Sequence, residues 1–349
     1  MTSDLLTVTL QGSSLLKLVL LGVGGFLLSM ALTPLYTTVA YRWKLWKKPR
    51  TETVTGAKAT EFMKLHGEKH KRHIPTMAGV IFIASVTILT LSANWSRGET
   101  WLPLAAFVGA ALVGFLDDVI NLRGNGTGKA GLPSRLKFLL ITGVAAAGGW
   151  YFYYKLGFNS IQLPGLDHSL EIGWWIIPLF TLVVVATANA VNISDGLDGL
   201  AGGLTTIAFA TYTVIAVLEG KYGVAGFCAA MVGALMSYTW FNVFPARFFM
   251  GDVGSFALGT ALGVVAMYTD TVLLLPLIGL VFVAEAGSVI LQIASKKLRN
   301  GKKIFRISPI HHHFEAIGWP EAKVTMRFWV IGQVAALIGL ALFVMGRYG

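Results

Sequence analysis

Long apolar segments separated by short polar stretches run along almost the whole chain. A membrane-spanning α-helix needs about 20 apolar residues, and fewer where it is short or lies among other helices. This pattern predicts ten transmembrane helices, and hence an all-α polytopic membrane protein. The predicted spans are 15–40, 74–92, 101–116, 137–154, 174–191, 200–218, 223–241, 253–269, 273–295 and 328–346.

The basic residues predict how the spans are oriented. With ten spans, both termini lie on one side, and the loops at 41–73, 117–136, 192–199, 242–252 and 296–327 share the opposite side. Of the 28 lysine and arginine residues, 23 fall on that opposite side, counting Lys137 at the edge of the fourth span, and five on the side of the termini. Because basic loops face the cytoplasm, we expect extracytoplasmic termini and cytoplasmic active-site loops.

The composition agrees with a membrane protein and argues against other classes. The 349 residues are 55% hydrophobic and 13% charged, far from the average of soluble domains. The net charge of +11 lies mainly in the predicted cytoplasmic loops, so nucleic-acid binding has no separate support. The first apolar run lacks the features of a cleavable signal peptide, so we expect it to be the first membrane helix. No repeat or linker divides the chain, which predicts one membrane domain over 1–349.

Carboxylates cluster at the predicted cytoplasmic edge. Asp117 and Asp118 directly follow the third span, and Asp252 directly precedes the eighth. Carboxylates near membrane depth are costly, which makes them candidates for function. The adjacent pair needs a compensating cation, and Mg²⁺ suits carboxylates that share it with substrate phosphates. The alternatives are a solvated helix end for the pair and an N-cap for Asp252.

Two further polar segments lie on the same side. In Asn189–Gly199, amide and carboxylate side chains can bind a base or a ribose, although the same residue types form ordinary turns. Pro309–Glu315 contains three consecutive histidines, whose side chains point in different directions and are poorly placed to share one zinc ion. We favour contact with phosphate, helped by Lys302, Lys303 and Arg306, over a solvated loop.

Four segments, in this order along the chain, resemble the family of bacterial phospho-N-acetylmuramoyl-pentapeptide transferases, within the polyprenyl-phosphate N-acetylhexosamine 1-phosphate transferase superfamily. They are Asp117-Asp118, Asn189–Gly199, Phe249-Met250-Gly251-Asp252 and Ser308–Glu315. The resemblance covers essentially the whole chain. It implies Mg²⁺-dependent transfer of phospho-MurNAc-pentapeptide from UDP-MurNAc-pentapeptide to undecaprenyl phosphate, giving lipid I and UMP. It also implies a homodimer in the bacterial cytoplasmic (inner) membrane.

The resemblance further implies roles for individual residues. Asp252 and Asp118 are expected at the metal, Asp117 at the attacking lipid phosphate, and His311 among the catalytic residues. Both direct attack and an aspartyl intermediate stay open. The residues expected to bind substrate are Lys71, Thr76, Asn189, Asn192, Ile193, Asp195, Gly196, Asp198, Asn242, Phe249, His311, His312 and His313.

The chain departs from the family pattern at several positions. His73-Ile74 stands where the family has Gly-Thr. Val119 and Asn121 stand where it has Tyr and Lys, so the contact of that lysine is either missing or supplied by Lys129.

Two alternative functions stay open. A transporter would place its binding groups near the bilayer midplane, whereas most acids here cluster at one edge. Glu285 and Gln292 in the ninth span are exceptions, and they either line a lipid groove or pair inside the bundle. A sister transferase that uses UDP-N-acetylglucosamine would share the chemistry and differ in its sugar pocket.

Overall fold

The computed structural model describes residues 2–46, 73–123, 131–163 and 169–348. Within these ranges the chain is almost entirely helical, as predicted. The helices are α1 Thr2–Arg42, α2 Gly79–Ala93, α3 Trp101–Arg123, α4 Ser134–Tyr154, α5 Ile176–Ser194, α6 Leu200–Leu218, α7 Tyr222–Asn242, α8 Gly251–Tyr268, α9 Leu275–Ile278, α10 Leu280–Leu298, α11 Ile310–Ala316 and α12 Glu321–Tyr348, with a 3₁₀ turn at Gly173–Trp175 before α5.

Eight helices in the described part of the chain are long and apolar enough to cross a membrane: α1, α3, α4, α5, α6, α7, α8 and α12. Each corresponds to a predicted span. The other two predicted spans differ from what the sequence led us to expect. The helix of the second span has only 15 residues because it begins at Gly79 rather than at residue 74. The ninth span is interrupted at Gly279, which separates the short α9 from α10.

Helix α8 is the most buried of these eight, with 94% of its apolar window inside the protein. It packs between α3 and α5. A β-carbon at Gly259 would overlap the backbone of Thr187 and Ala188, so the glycine permits close contact with α5. A helix that is apolar on all sides belongs at the centre of a bundle, and α8 occupies that place.

The outer helices expose apolar side chains. The apolar window of α1 is only 22% buried, and Leu20 on its surface is 61% exposed. Such a continuous surface would be an aggregation site in water. In a bilayer it is the expected outer face, because lipid tails are as apolar as leucine and a helix satisfies its backbone hydrogen bonds internally.

A short antiparallel hairpin between α4 and α5 is an element that the all-helical prediction missed. Strand β1, Ser160–Gln162, pairs with β2, Ser169–Glu171. The backbone N–H of Gln162 donates to Asp270 Oδ1 over 2.9 Å, which ties the hairpin to the turn after α8. Strands of three residues are too short to produce a recognisable alternation of polar and apolar positions.

Hydrogen bonds between helix ends define two ends of the bundle. At one end, which we call the carboxylate end after Asp117, Asp118 and Asp252, the ends of α3 and α5 meet the start of α8. The opposite end contains the β-hairpin and the turn after α8, and we call it the hairpin end. All the predicted site residues that the structure describes belong to segments at or next to the carboxylate end, apart from the deeper Asn189.

Candidate active site

Asp117, Asp118 and Asp252 come together at the carboxylate end, as the sequence led us to expect. One carboxylate oxygen from each lies within 4.8 Å of the others. Asp117 and Asp118 are 2% and 0% exposed, and Asp252 lies in the first turn of α8. The predicted boundary of the third span is wrong, because α3 continues to Arg123. The aspartate pair is therefore held on a helix rather than in a loop.

Two glycines allow the three acids to approach. A β-carbon on Gly114, one turn before Asp118, would overlap the backbone of Asp252 and Val253. Gly251 has φ +75°, and a β-carbon on it would overlap the Asp118 carboxylate. Asp118 Oδ2 accepts a hydrogen bond of 3.0 Å from the backbone N–H of Val253. Close crossing of α3 and α8 thus places the aspartate pair against the first turn of α8.

Lys137 on α4 bridges two of the acids. Its Nζ lies 3.0 Å from Asp117 Oδ2 and 2.7 Å from Asp252 Oδ2. The other oxygen of Asp117 accepts a 2.7 Å hydrogen bond from the backbone N–H of Leu132. Lys137 therefore holds α4, α3 and α8 together at the carboxylates.

The sequence analysis counted Lys137 only as a charge at the membrane edge and gave it no role in the site. A cationic contact was sought instead near Asn121, where the family has lysine, and Lys129 was the proposed substitute. Lys129 lies outside the described residues. The available signal was a single lysine in the first turn of an otherwise apolar helix, where burial requires an anionic partner.

The carboxylate cluster offers oxygen ligands at close spacing. Three carboxylates lie together, and the ammonium group of Lys137 pairs with those of Asp117 and Asp252. Within the described ranges, no other group of three or more histidine, cysteine, aspartate or glutamate side chains is arranged to hold a metal ion. Carboxylate oxygens are hard ligands of the kind that Mg²⁺ prefers. Donor type, spacing and charge all fit a divalent cation.

Thr76 and Phe249 belong to two segments that pair beside this cluster. The backbone N–H of Phe249 donates to the carbonyl oxygen of Pro75 over 2.8 Å. The hydroxyl of Tyr36 donates to the carbonyl oxygen of Thr76 over 2.6 Å. Thr76 is buried and Phe249 is half-buried. The remaining residue predicted for this segment, Lys71, lies outside the described residues.

The last turns of α5 and the turn that follows it keep several predicted binding residues accessible. Those that are partly or fully exposed are Asn189, Asn192, Ile193, Asp195 and Gly196. Asn192 Nδ2 donates to Ser255 Oγ on α8 over 2.8 Å, whereas Asn189 Nδ2 donates to the carbonyl oxygen of Val185 within its own helix over 2.7 Å. The accessible groups thus lie on a segment that is attached to the central helix.

Asp198 and Asn242 are buried and bind the backbone. Asp198 Oδ2 accepts a 2.9 Å hydrogen bond from the N–H of Ala246. Asn242 Oδ1 accepts one of 3.1 Å from the N–H of Gly199, and its Nδ2 donates to the carbonyl oxygen of Phe248 over 2.8 Å. These two side chains join the α5–α6 turn to the loop before α8.

Helix α12 holds the same turn from the other side, which the sequence analysis did not anticipate. The backbone N–H of Asp198 donates to Glu321 Oε1 over 2.7 Å. The hydroxyl of Thr325 donates to the carbonyl oxygen of Asp198 over 3.1 Å. Trp329 Nε1 donates to the carbonyl oxygen of Gly199 over 3.2 Å. Three side chains of one helix therefore fix two consecutive residues of the turn.

The histidine triplet lies on the helix α11 and not in the predicted loop. His311 Nδ1 lies 2.8 Å from Glu285 Oε2, and His312 Nδ1 lies 2.7 Å from Glu315 Oε2. His313 Nδ1 accepts a hydrogen bond of 3.2 Å from a backbone N–H of the preceding loop. Each ring has a different partner, as expected for successive positions of a helix.

Glu285 and Gln292 of α10 both pair inside the bundle, which decides between the two roles predicted for them. The side chains of Glu285 and His311 are each 0% exposed. Gln292 Nε2 donates to the carbonyl oxygen of Phe305 over 2.8 Å, and its Oε1 accepts from the N–H of Ile304 over 3.0 Å. Helix α10 therefore anchors both His311 and the loop that leads to α11.

Known proteins are similar to this chain over most of its length. The pattern of glycosyl transferase family 4 matches residues 100–270. A phospho-N-acetylmuramoyl-pentapeptide-transferase of Geobacillus thermodenitrificans (strain NG80-2) is 40% identical over 324 residues, covering 90% of this chain and 94% of the relative. The protein of that name from Chloroflexus aurantiacus (strain ATCC 29366 / DSM 635 / J-10-fl) is 37% identical over 339 residues, covering 93% and 89%. That from Syntrophus aciditrophicus (strain SB) is 41% identical over 289 residues, covering 78% and 80%.

These similarities include the site described above. The match to glycosyl transferase family 4 contains Asp117, Asp118 and Asp252 together with Lys137. The identity of the Geobacillus relative extends over nearly the full length of both chains. The chain therefore belongs to the phospho-N-acetylmuramoyl-pentapeptide-transferase family.

Proposed function

We propose that this protein transfers phospho-MurNAc-pentapeptide from UDP-MurNAc-pentapeptide to undecaprenyl phosphate, which gives lipid I and UMP. The observation that carries the proposal is the cluster of Asp117, Asp118 and Asp252 at one end of a bundle of apolar helices. The printed name of the relatives supports the choice of the transferred group. The reaction would be the first membrane step of peptidoglycan synthesis.

The position of the cluster suits two substrates that arrive from different phases. Undecaprenyl phosphate comes from the bilayer and the nucleotide from the cytosol, so both can reach a site at the membrane edge. In this proposal the protein has ten spans, extracytoplasmic termini and a cytoplasmic carboxylate end. The support is that 23 of the 28 lysine and arginine residues fall on that side. The short α2 and the interrupted α9–α10 pair are then the second and ninth spans.

The three carboxylates would divide the chemistry between them. Asp118 and Asp252 would hold Mg²⁺, and Asp117, paired with Lys137, would position the lipid phosphate or accept its proton. When bound, the cation neutralises phosphate charge and stabilises the departing UMP. An oxygen of the lipid phosphate attacks the sugar-bearing phosphorus, and the bond from that phosphorus to UMP breaks. Direct attack and a two-step aspartyl route would both use these residues.

Accessible polar groups beside the cluster would bind the nucleotide. The amide of Asn192 and the carboxylate of Asp195 can hydrogen-bond a base or a ribose, and the half-buried ring of Phe249 offers an apolar wall. Histidine nitrogens on α11 would bind phosphate. The other residues proposed to contact or shape the substrate site are Lys71, Thr76, Asn189, Ile193, Gly196, Asp198, Asn242, His311, His312 and His313.

The protein would act as one membrane domain and as a homodimer. One continuous buried apolar cluster that extends from Leu18 to Phe343 supports a single domain over 1–349. The homodimer rests on the family resemblance. Chemical cross-linking in native membranes, with and without a competing detergent, tests it.

Release of UMP by the purified protein tests the proposed function directly. Undecaprenyl phosphate and Mg²⁺ are supplied with either UDP-MurNAc-pentapeptide or UDP-N-acetylglucosamine. We expect UMP and a new lipid diphosphate only with the muramoyl nucleotide, and no UMP when the lipid or the metal is omitted. Turnover with UDP-N-acetylglucosamine alone would identify a sister transferase instead. Complete absence of UMP with either nucleotide would contradict both transferase assignments and favour a transporter.

A further inference from the structure

Glu285 is a deeply buried acid to which the proposed reaction assigns no role. Its side chain is 0% exposed, and its Oε1 has no hydrogen-bond partner among the described residues. Burial of a carboxylate is costly unless the group is fully hydrogen-bonded. Structural ion pairs usually satisfy their buried oxygens. The side-chain partner of this buried acid is His311.

The contact of Glu285 with His311 selects one state of the imidazole. Glu285 Oε2 lies 2.8 Å from Nδ1 of His311. When the Glu285 carboxylate is ionised it can only accept hydrogen bonds, and Nδ1 is then the donating nitrogen. The second ring nitrogen, Nε2, is then the one through which His311 exchanges hydrogen bonds or a proton with another group.

The opposite side of the His311 ring lies at the α5–α6 segment. A β-carbon on Gly196 would overlap Nε2 and Cε1 of His311, so only a glycine lets this ring approach the backbone there. Gly196 is itself exposed. It stands next to Asp195, in the segment proposed to bind the nucleotide. Nε2 is itself buried and lies directly against Gly196, in the segment proposed to bind the nucleotide.

A second histidine–carboxylate pair differs from the first because it lies within a single helix. His312 and Glu315 are also close, with 2.7 Å between Nδ1 and Oε2, but they are three residues apart on the same helix. Glu285 lies 26 residues before His311 and reaches it from α10. Glu315 moves together with α11, whereas Glu285 fixes its histidine ring relative to the bundle.

We propose that Glu285 is a positioning residue for the transfer reaction, holding His311 in the form that donates from Nδ1 and leaving Nε2 for the phosphates of the substrate. The inference rests on the proposed function and deepens it. Glu285 acts through His311, in the way that a carboxylate sets the tautomer and orientation of a histidine in catalytic triads. Asp117, Asp118 and Asp252 keep the roles proposed for them in the transfer reaction.

A double-mutant cycle tests whether Glu285 acts through His311. Glu285→Gln keeps the shape of the side chain but removes the charge that selects the tautomer. We expect it to lower kcat by about 100-fold, a typical contribution of a positioned histidine, with KM for the nucleotide changed by less than about threefold. In a His311→Gln background, the same change should lower kcat by no more than about twofold further.

Glu219→Gln is the matched control. Glu219 is also a nearly buried glutamate, 7% exposed and paired with Arg347, but it lies at the hairpin end. We expect its substitution to leave UMP release unchanged. A wild-type kcat in Glu285→Gln, or an equal loss of kcat in both His311 backgrounds, would overturn the proposal.

Nuclear magnetic resonance of ¹⁵N-histidine-labelled protein gives a readout that does not depend on turnover. In the wild-type protein, His311 should carry a proton on Nδ1, and Glu285→Gln should abolish this single preference. A His311 with its neutral proton only on Nε2 would overturn the proposal, even if Glu285→Gln does not fold. If the wild-type protein releases no UMP, the proposed function fails, while the spectrum still decides whether Glu285 positions His311.

Discussion

The two ends of the helix bundle arrange their buried acids differently. At the hairpin end, Glu219 Oε1 lies 3.2 Å from Arg347 Nε, and its Oε2 lies 3.3 Å from Lys221 Nζ, so two cations surround one acid. At the carboxylate end, three aspartates lie together, and Lys137 pairs with two of them. Both ends contain buried acids, but within the described ranges only the carboxylate end brings three of them close enough to hold one metal ion. Clustering of acids, and not burial of charge as such, distinguishes the candidate active site.

Other acids at the hairpin end bind the backbone. Glu99 Oε2 accepts hydrogen bonds from the N–H groups of Gly223 and Val224 in the first turn of α7. Asp270 Oδ1 accepts one from the N–H of Gln162 in the β-hairpin. A helix start leaves N–H groups without intrahelical partners and favours negative charge. Glu99 therefore caps a helix and Asp270 holds the hairpin, and the comparison predicts different consequences when acids at the two ends are replaced.

The largest expected effect is the loss of turnover in Asp252→Asn and Asp117→Asn. Each change removes a charge from the site where metal and phosphates meet, so we expect UMP release to fall at least about 1,000-fold. Thermal unfolding in detergent should show that both variants fold, since removing one of three mutually repelling anions relieves repulsion. Glu219→Gln serves as the control. Near-normal transfer by either aspartate variant would discard the role assigned to it.

Lys137→Met makes the carboxylate cluster more negative, whereas the aspartate substitutions make it less negative. Without the ammonium group the three aspartates form a more negative site, so the Mg²⁺ concentration at half-maximal activity should decrease. The maximal rate should fall about 10- to 100-fold because Asp117 and Asp252 lose the contact that orients them. A Mg²⁺ titration of UMP release measures both quantities. An unchanged or higher Mg²⁺ requirement would mean that Lys137 does not share the metal site.

A smaller effect is expected where α12 supports the nucleotide segment. Trp329→Phe removes the hydrogen bond to the carbonyl oxygen of Gly199 and keeps an aromatic ring. One such bond contributes about 1 kcal/mol, so KM for the nucleotide should rise about fivefold, with little change in kcat. Trp174→Phe, at an exposed site, is the matched control. A loss confined to kcat would argue that α12 affects the catalytic residues instead of the nucleotide segment.

The smallest effect is expected at Asp270 and concerns stability alone. Burial raises the pKa of Asp270 above its ordinary value of 3.8, so its ionised form is disfavoured in the folded state. Its contribution to stability is therefore complete below pH 3.8 and is lost as the pH rises through the raised pKa. Asp270→Asn should raise the unfolding temperature at neutral pH, and this gain should vanish in acid. UMP release should not change, and a lower unfolding temperature at pH 7 would contradict this account.

Much of the fold was predictable because membrane insertion depends on local properties of the chain. Each of the ten predicted spans coincides with helix in the described structure, although only eight of those helices meet the length and apolarity needed to cross a membrane. The boundaries failed where packing overrides hydropathy. Residues 74–77 lie outside the helix and next to the loop before α8, to which Pro75 is hydrogen-bonded, and α3 extends through Asp117 and Asp118 because α8 packs against them.

The site was predictable only in part. Aspartates next to apolar segments could be recognised one at a time, because charge near lipid is rare and costly. The part played by Lys137 could not, since its bond to Asp252 joins residues 115 positions apart. Pairing of Glu285 inside the bundle was one of two possibilities, and the sequence did not identify His311 as its partner.

The sequence by itself determined that this protein is a helical membrane protein with acids concentrated at one edge, because hydropathy and charge act over a single helix length. Only the tertiary structure decided which cation meets which acid, which histidine is fixed by α10, and which three acids come together at one end of the bundle. Those outcomes depend on contacts between helices that are distant in the chain. Such contacts are set by the close approach of the α8 backbone at Gly114 and of the His311 ring at Gly196, and glycine spacing alone does not specify the partner.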